Sequence, residues 1–230
     1  MKKDLSVIVS CEHAVNRVPS RFRAFVDPYD RSALNTHAGY DIGALPVARA
    51  LARRIGCPIF VGGISRLVVD LNRSETNRQG IFGSIGRKLD AAGKEAALEK
   101  WHRPFRLSMR EALEREMACG RRVMLLSVHS FTPRLDGQTR KADFGLLYDP
   151  ARSAERALCR AMGAKILASL PTARIRMNYP YRGVSDGSAS AFRKLFPGIV
   201  AVELEFNQGT VGSFSLAKIT EAIATSIKGA

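Results

Sequence analysis

The sequence predicts an α/β fold: a mostly parallel sheet covered by helices on both faces. Three observations carry that expectation. Short apolar runs rich in β-branched residues recur along the chain, segments with helical apolar spacing separate them, and the runs tend to break abruptly into polar residues. Leu5 to Cys11 (LSVIVSC) reads as a buried strand closed by Glu12, His13, Asn16 and Arg17. Asp41 to Ile55 places Leu45, Ala48, Leu51, Ala52 and Ile55 on one helical face, with Asp41 as its cap and Gly56 just past its end. Pro46 falls in the early turns, where a missing backbone donor costs least.

Pro58 to Val61 and Arg66 to Leu71 read as further strands, the second opening into the polar run Asn72 to Gln79. Leu89 to Cys119 is helical in period and interrupted at Pro104. Val123 to Val128 (VMLLSV) is a strand ending on His129 and Ser130, which repeats the pattern of the first. Phe144 to Tyr148 is a strand, Ala151 to Leu170 a helix, Gly198 to Phe206 a strand and Leu216 to Lys228 a closing helix. Loops around 72–88 and 131–143 are long enough to serve as lids or binding loops. With no repeat or linker, residues 1–230 are expected to form a single domain.

Composition narrows the function. Of 230 residues, 46% are hydrophobic and 25% charged, which argues against disorder. No apolar run approaches the roughly 20 residues of a membrane helix, and Glu12 stands where a signal peptide would need small residues, so a cytoplasmic protein is expected. Four widely spaced cysteines without a CxxC pair read as buried, reduced thiols. Lys and Arg outnumber Asp and Glu by 36 to 21, giving +15 and a pI near 10.3. Such a surface attracts anions: nucleic acid, an acidic membrane face or a small carboxylate or phosphate. The arginines gather at strand exits instead of along one helix with interleaved aromatics, which disfavours nucleic acid.

Of four histidines, His13 and His129 sit at the ends of buried strands, where ligands bind in open α/β sheets. With Glu12 beside one and Asp41 at a helix start, they point to a metal site of two histidines and a carboxylate. Three protein ligands and one open position suit Zn²⁺, which lowers the pKa of a bound water toward about 7. Hydrolysis then needs a base. Glu205 is the natural candidate, and Glu203 shares its face of the strand. In RLVVDLNR, Arg73 is placed to hold a substrate carboxylate and Arg66 to polarise a scissile carbonyl, because the guanidinium fork matches carboxylate geometry. The turn Tyr181, Arg182 and Gly183 offers another anion contact. Gly80, Gly83 and Gly86 read as a flexible loop, His102 as helix packing, and His37 as an outer partner of the metal site or a surface residue. Ser130 lacks a nucleophile-elbow context.

Together, CEHAVNRVP (Cys11 to Pro19), HAGYDIGA (His37 to Ala44), SRLVVDLNR (Ser65 to Arg73), SVHSF (Ser127 to Phe131) and VELEFNQ (Val202 to Gln208) resemble the N-formylglutamate amidohydrolase family. The blocks run in family order across nearly the whole chain. The resemblance implies a zinc-carboxypeptidase-like, three-layer α/β fold with a mixed, mostly parallel sheet. It also implies metal-dependent hydrolysis of a small anionic N-acyl amino acid, formylglutamate above all. On this basis His13 and His129 are expected to bind Zn²⁺ or another divalent metal, Glu205 to act as base and Arg66 to polarise the carbonyl. Asn72 and Arg73, assisted by Arg182, are expected to bind the substrate carboxylate. Related carboxypeptidase-like enzymes use His-x-x-Glu for their first two ligands, but Asn16 stands at that fourth position here. Asp41 is the expected replacement ligand and Glu12 its competitor. The resemblance sets no oligomeric state.

Overall fold

The computed structural model describes residues 5–228. In chain order it comprises β1 (Leu5–Cys11), a 3₁₀ segment (Ser20–Phe25), α1 (Pro28–Leu34), α2 (Ala44–Ile55), β2 (Ile59–Val61), α3 (Ser84–Arg87) and α4 (Ala91–Ala97). A π-helical stretch (Leu98–His102) leads into α5 (Arg103–Ala118), β3 (Arg122–Phe131), a small ribbon of β4 (Arg134–Leu135) and β5 (Gln138–Thr139), and β6 (Phe144–Leu147). The chain continues through α6 (Ser153–Ser169), β7 (Ile175–Met177), α7 (Ser188–Leu195), β8 (Val200–Asn207), α8 (Thr210–Ser213) and α9 (Leu216–Lys228).

The six-stranded sheet has the order β2-β1-β3-β8-β6-β7. Its first four strands run parallel, and β6 pairs antiparallel with β8. The two-residue period of a strand separates two cores. Val7, Val9, Met124, Leu126, Val202 and Leu204 face α2, α6 and α9, whereas Ile8, Val123, Leu125 and Ala201 face α5 and α7. The result is a three-layer α/β arrangement with a mixed, mostly parallel sheet. None of the described helices is long and apolar enough to cross a membrane.

Parity also places polar groups. Toward the carboxyl ends of the strands, the α5/α7 face carries Ser10 from β1, Ser127 and His129 from β3, and Glu203 and Glu205 from β8. Ser10 is in register with Ser127, Ser127 with Glu203, and His129 with Glu205. A third core of Phe22, Ala33, Ile64, Leu67, Val68, Val69, Leu71, Ile81 and Ile85 lies beside this edge.

Several expectations need correction. Arg66 to Leu71 is a series of turns, not a strand. Its backbone bonds join no strand: the Asp70 amide donates to Ile81 and the Leu67 carbonyl accepts from Ile85 and Gly86 of α3, while the preceding Ser65 amide donates to Arg17. The glycine run after it is a packed wall. A Cβ on Gly83 would lie 2.5 Å from the Arg66 carbonyl oxygen, and one on Gly86 only 1.9 Å from that of Val68, so backbone meets backbone there. Asp41 does not cap α2; Gly43 does, in a left-handed conformation, and frees the carboxylate. Gly56 ends that helix as expected, with φ 79°. Cys11 and Cys159 are buried, but Cys57 is half-buried and Cys119 exposed. The interruption at Pro104 is the π-helical stretch, with Pro104 itself in the first turn of α5.

Candidate active site

The exit of β1 and the approach to α2 are tied by backbone: the Asp41 amide donates to the His13 carbonyl at 2.9 Å. That bond brings the freed Asp41 carboxylate between the two imidazoles. Asp41 Oδ2 lies 2.8 Å from His129 Nδ1 and 3.4 Å from His13 Nδ1, and the ring centroids are 5.1 Å apart. His13, Asp41 and His129 offer ligand atoms within 4.8 Å of one another, the one such group among the described residues. Glu12, the alternative ligand, is absent from it. Its oxygens are occupied by the hydroxyls of Ser10 and Ser127, at 2.9 and 2.8 Å.

The back of each ring is also held. His13 Nε2 bonds Asp70 Oδ1 at 2.6 Å, and His129 Nε2 meets Ser127 Oγ at 2.8 Å. Asp70 lies within the RLVVDLNR block. Its histidine is 57 residues distant, and only the turns of 66–71 aim it there. Because Nε2 is bonded, His13 Nδ1 faces the site. It and Glu205 Oε2 are buried without a hydrogen-bond partner among the described residues. One orphaned nitrogen within the three-ligand cluster and one orphaned carboxylate oxygen lining the same space are what a divalent cation and a water would satisfy, so these residues fit the metal that the sequence implies.

A cavity of about 160 Å³ opens over this group, lined by His13, Asp41, Arg66, Asn72, Arg73, His129, Ser130, Tyr181, Arg182, Ser185, Asp186, Glu203 and Glu205. His13, Asp41, His129, Glu205, Arg66, Asn72, Arg73 and Arg182, the eight residues given site roles from the resemblance, therefore border one space. Arg66 reaches Asp41 Oδ1 at 3.1 Å. Asn72 accepts from the Ser188 amide at 2.7 Å, and a guanidinium nitrogen of Arg73 donates to the Asp186 carbonyl. Arg182 lies exposed at the rim. Ser185 and Asp186, on the segment leading into α7, carry no sequence signal. His37 is exposed and does not line the cavity, whereas His102 is buried and bonds the Arg73 carbonyl through Nε2 at 2.8 Å.

The electrostatics follow from burial and pairing. Burial opposes charge on His129, but the hydrogen bond and charge of Asp41, with Glu12 and Glu205, outweigh it and raise its pKa to about 10. Burial also opposes charge on Asp41, yet the two imidazoles hold it far below the usual carboxylate range. Glu205 goes the other way. Burial pushes it up to about 8, Asp41 and Glu203 adding to the effect and His129 and Arg66 opposing it. A carboxyl with raised proton affinity beside a potential cation site and a guanidinium can accept a proton from water and return it to a leaving group.

A profile of the N-formylglutamate amidohydrolase family matches residues 5–211. Among solved structures, a gene product of Agrobacterium tumefaciens is similar at TM-score 0.77 and 25% identity, over 99% of this chain and 92% of its own. An N-formylglutamate amidohydrolase from Ralstonia eutropha shares the fold at TM-score 0.72 and 17% identity, over 98% of this chain and 93% of its own. No curated protein sequence matches the chain.

Proposed function

The chain belongs to the N-formylglutamate amidohydrolase family, and we propose that it is a metal-dependent hydrolase of N-acyl amino acids whose substrate is N-formyl-L-glutamate, cleaved to L-glutamate and formate. One observation carries this reading: a single small cavity joins a three-ligand cluster, an unpartnered carboxylate and a set of guanidinium groups. His13, Asp41 and His129 would hold the cation. When bound there, Zn²⁺ or another divalent ion supplies Lewis acidity toward oxygen.

The remaining roles belong to the chain. Glu205 removes a proton from the attacking water as its oxygen bonds the formyl carbon. Arg66 stabilises the oxyanion that develops on the carbonyl, being itself held in place by Asp41. As the C–N bond breaks, Glu205 returns the proton to the leaving amine. Arg73 and Asn72, with Arg182 at the rim, bind the carboxylates of the glutamyl part and set its orientation.

The test is formate release from N-formyl-L-glutamate by metal-loaded protein, with and without chelator, set against N-acetyl amino acids. Glu205→Ala is expected to retain metal and lose about 10²–10⁴-fold in kcat. Chelator-insensitive turnover removes the metal from the reading, and an active Glu205→Ala removes the base.

A further inference from the structure

Glu12 is completely buried, and a carboxylate there is costly unless its position is used. Both of its oxygens accept hydroxyl hydrogen bonds, Oε1 from Ser10 and Oε2 from Ser127. A serine hydroxyl carries one hydrogen. Since Ser127 spends its hydrogen on Glu12, its oxygen can only accept from His129 Nε2, which lies 2.8 Å away. Nε2 therefore carries a proton, and Nδ1, which bonds Asp41 Oδ2 at 2.8 Å, is the nitrogen that exchanges its own proton for a cation.

We propose that Glu12 is a positioning residue for the cation site: acting through the Ser127 hydroxyl, it fixes His129 in the tautomer whose Nδ1 can ligate a metal. The inference rests on His13, Asp41 and His129 being the ligands. Glu12 Oε2 also lies 3.5 Å from His129 Nε2, an attraction of the same sense. The other ligand histidine is built alike. His13 Nε2 is backed directly by Asp70, and its Nδ1 faces the same Asp41 oxygen. Both rings thus rest on a carboxylate, one by contact and one through a hydroxyl. Outer partners of this kind orient metal-binding imidazoles and raise their basicity.

The strand register builds the relay. Ser10 and Ser127 are paired neighbours, and Glu12 and His129 each follow two residues later. Glutamine at position 12 would keep the shape but bring a donor of its own. One hydroxyl would have to turn around, and Ser127 could then donate to Nε2 and drive the His129 proton to Nδ1, the wrong atom.

The experiment compares wild type, Glu12→Gln, Ser127→Ala and the double variant by zinc competition against a chelator and by ¹⁵N spectra of histidine-labelled, zinc-loaded protein. The wild-type spectrum should show His129 protonated on Nε2 and metal-bound through Nδ1. Glu12→Gln should weaken zinc by about 10–100-fold, with the His129 resonances shifted and the thermal midpoint of the metal-free protein little changed. The double variant should lose no more than the worse single variant, because both act on one relay. A folded Glu12→Gln with wild-type zinc affinity and an unaltered His129 pattern overturns the proposal while leaving the metal site standing. Wild type that takes up no zinc overturns both. If Glu12→Gln does not fold, the wild-type spectrum decides alone: zinc on His129 Nε2, with the proton on Nδ1, refutes the relay.

Discussion

Arg66 and Arg73 border the same cavity but are anchored differently, and the anchoring separates their effects. Arg66 is tied to Asp41 at 3.1 Å, next to the proposed cation and the reacting carbonyl. Arg73 is held through the Asp186 carbonyl, with Asp70 at 3.9 Å, and is placed to meet a carboxylate of the bound substrate. A hydrogen bond to a charged group is worth about 1.5–3 kcal/mol, and about 1.4 kcal/mol is tenfold in affinity. Arg73→Ala should therefore raise KM for N-formyl-L-glutamate by roughly 10–100-fold and leave kcat within a few-fold. Arg66→Ala should depress kcat instead. Initial-rate kinetics on both variants checks this, and an Arg73→Ala enzyme with unchanged KM would move carboxylate recognition to Arg182.

Among the elements beside the site, α1 and α3 are joined by one buried charge. Asp30 of α1 accepts from Ser84 at the start of α3 and from Lys88 at its end. Burial raises its proton affinity, but Lys88, Ser84 and the Asp27 amide prevail and hold its carboxyl below the usual range. A depressed folded-state pKa means stability that is present above the ordinary carboxylate range and lost as the pH falls through the folded value. Asp30→Asn should cost about 1–3 kcal/mol at neutral pH, and its gap to wild type should narrow at pH 3 in urea titrations. An equal gap at both pH values would show that the charge is not the link. Neither α1 nor α3 is evident in the sequence, because each is short and polar contacts do much of the holding. By contrast, the end of β1 at Cys11 and the start of α9 at Leu216 are legible, since long apolar patterning and abrupt polar boundaries mark them. Arg66 to Leu71 misleads for a physical reason: apolar β-branched content is visible in a sequence, whereas the partners of its backbone groups are not. The candidate site divides in the same way. His13, His129 and Glu205 stand out because they lie near the ends of buried strands, but the pairings Asp70 with His13 and Glu12 with Ser127 depend on register and on turns that no spacing discloses.

At the scale of the whole molecule, a charge of +15 surrounds a cavity bordered by Arg66, Arg73 and Arg182. The proposed substrate carries two carboxylates, so the field of the protein should raise its concentration near the opening before any contact forms. Screening acts over about 8–10 Å at ordinary ionic strength, which is short against the size of the molecule but longer than a hydrogen bond. Salt should therefore weaken encounter more than the bound complex. The expected result is a kcat/KM for N-formyl-L-glutamate that falls several-fold as sodium chloride rises from low to high concentration, with kcat nearly constant. An uncharged N-formyl amino acid amide should show little of this decline. If the two compounds respond alike, the excess of lysine and arginine serves some other partner, and a salt-sensitive complex with a polyanion becomes the reading that the charge supports.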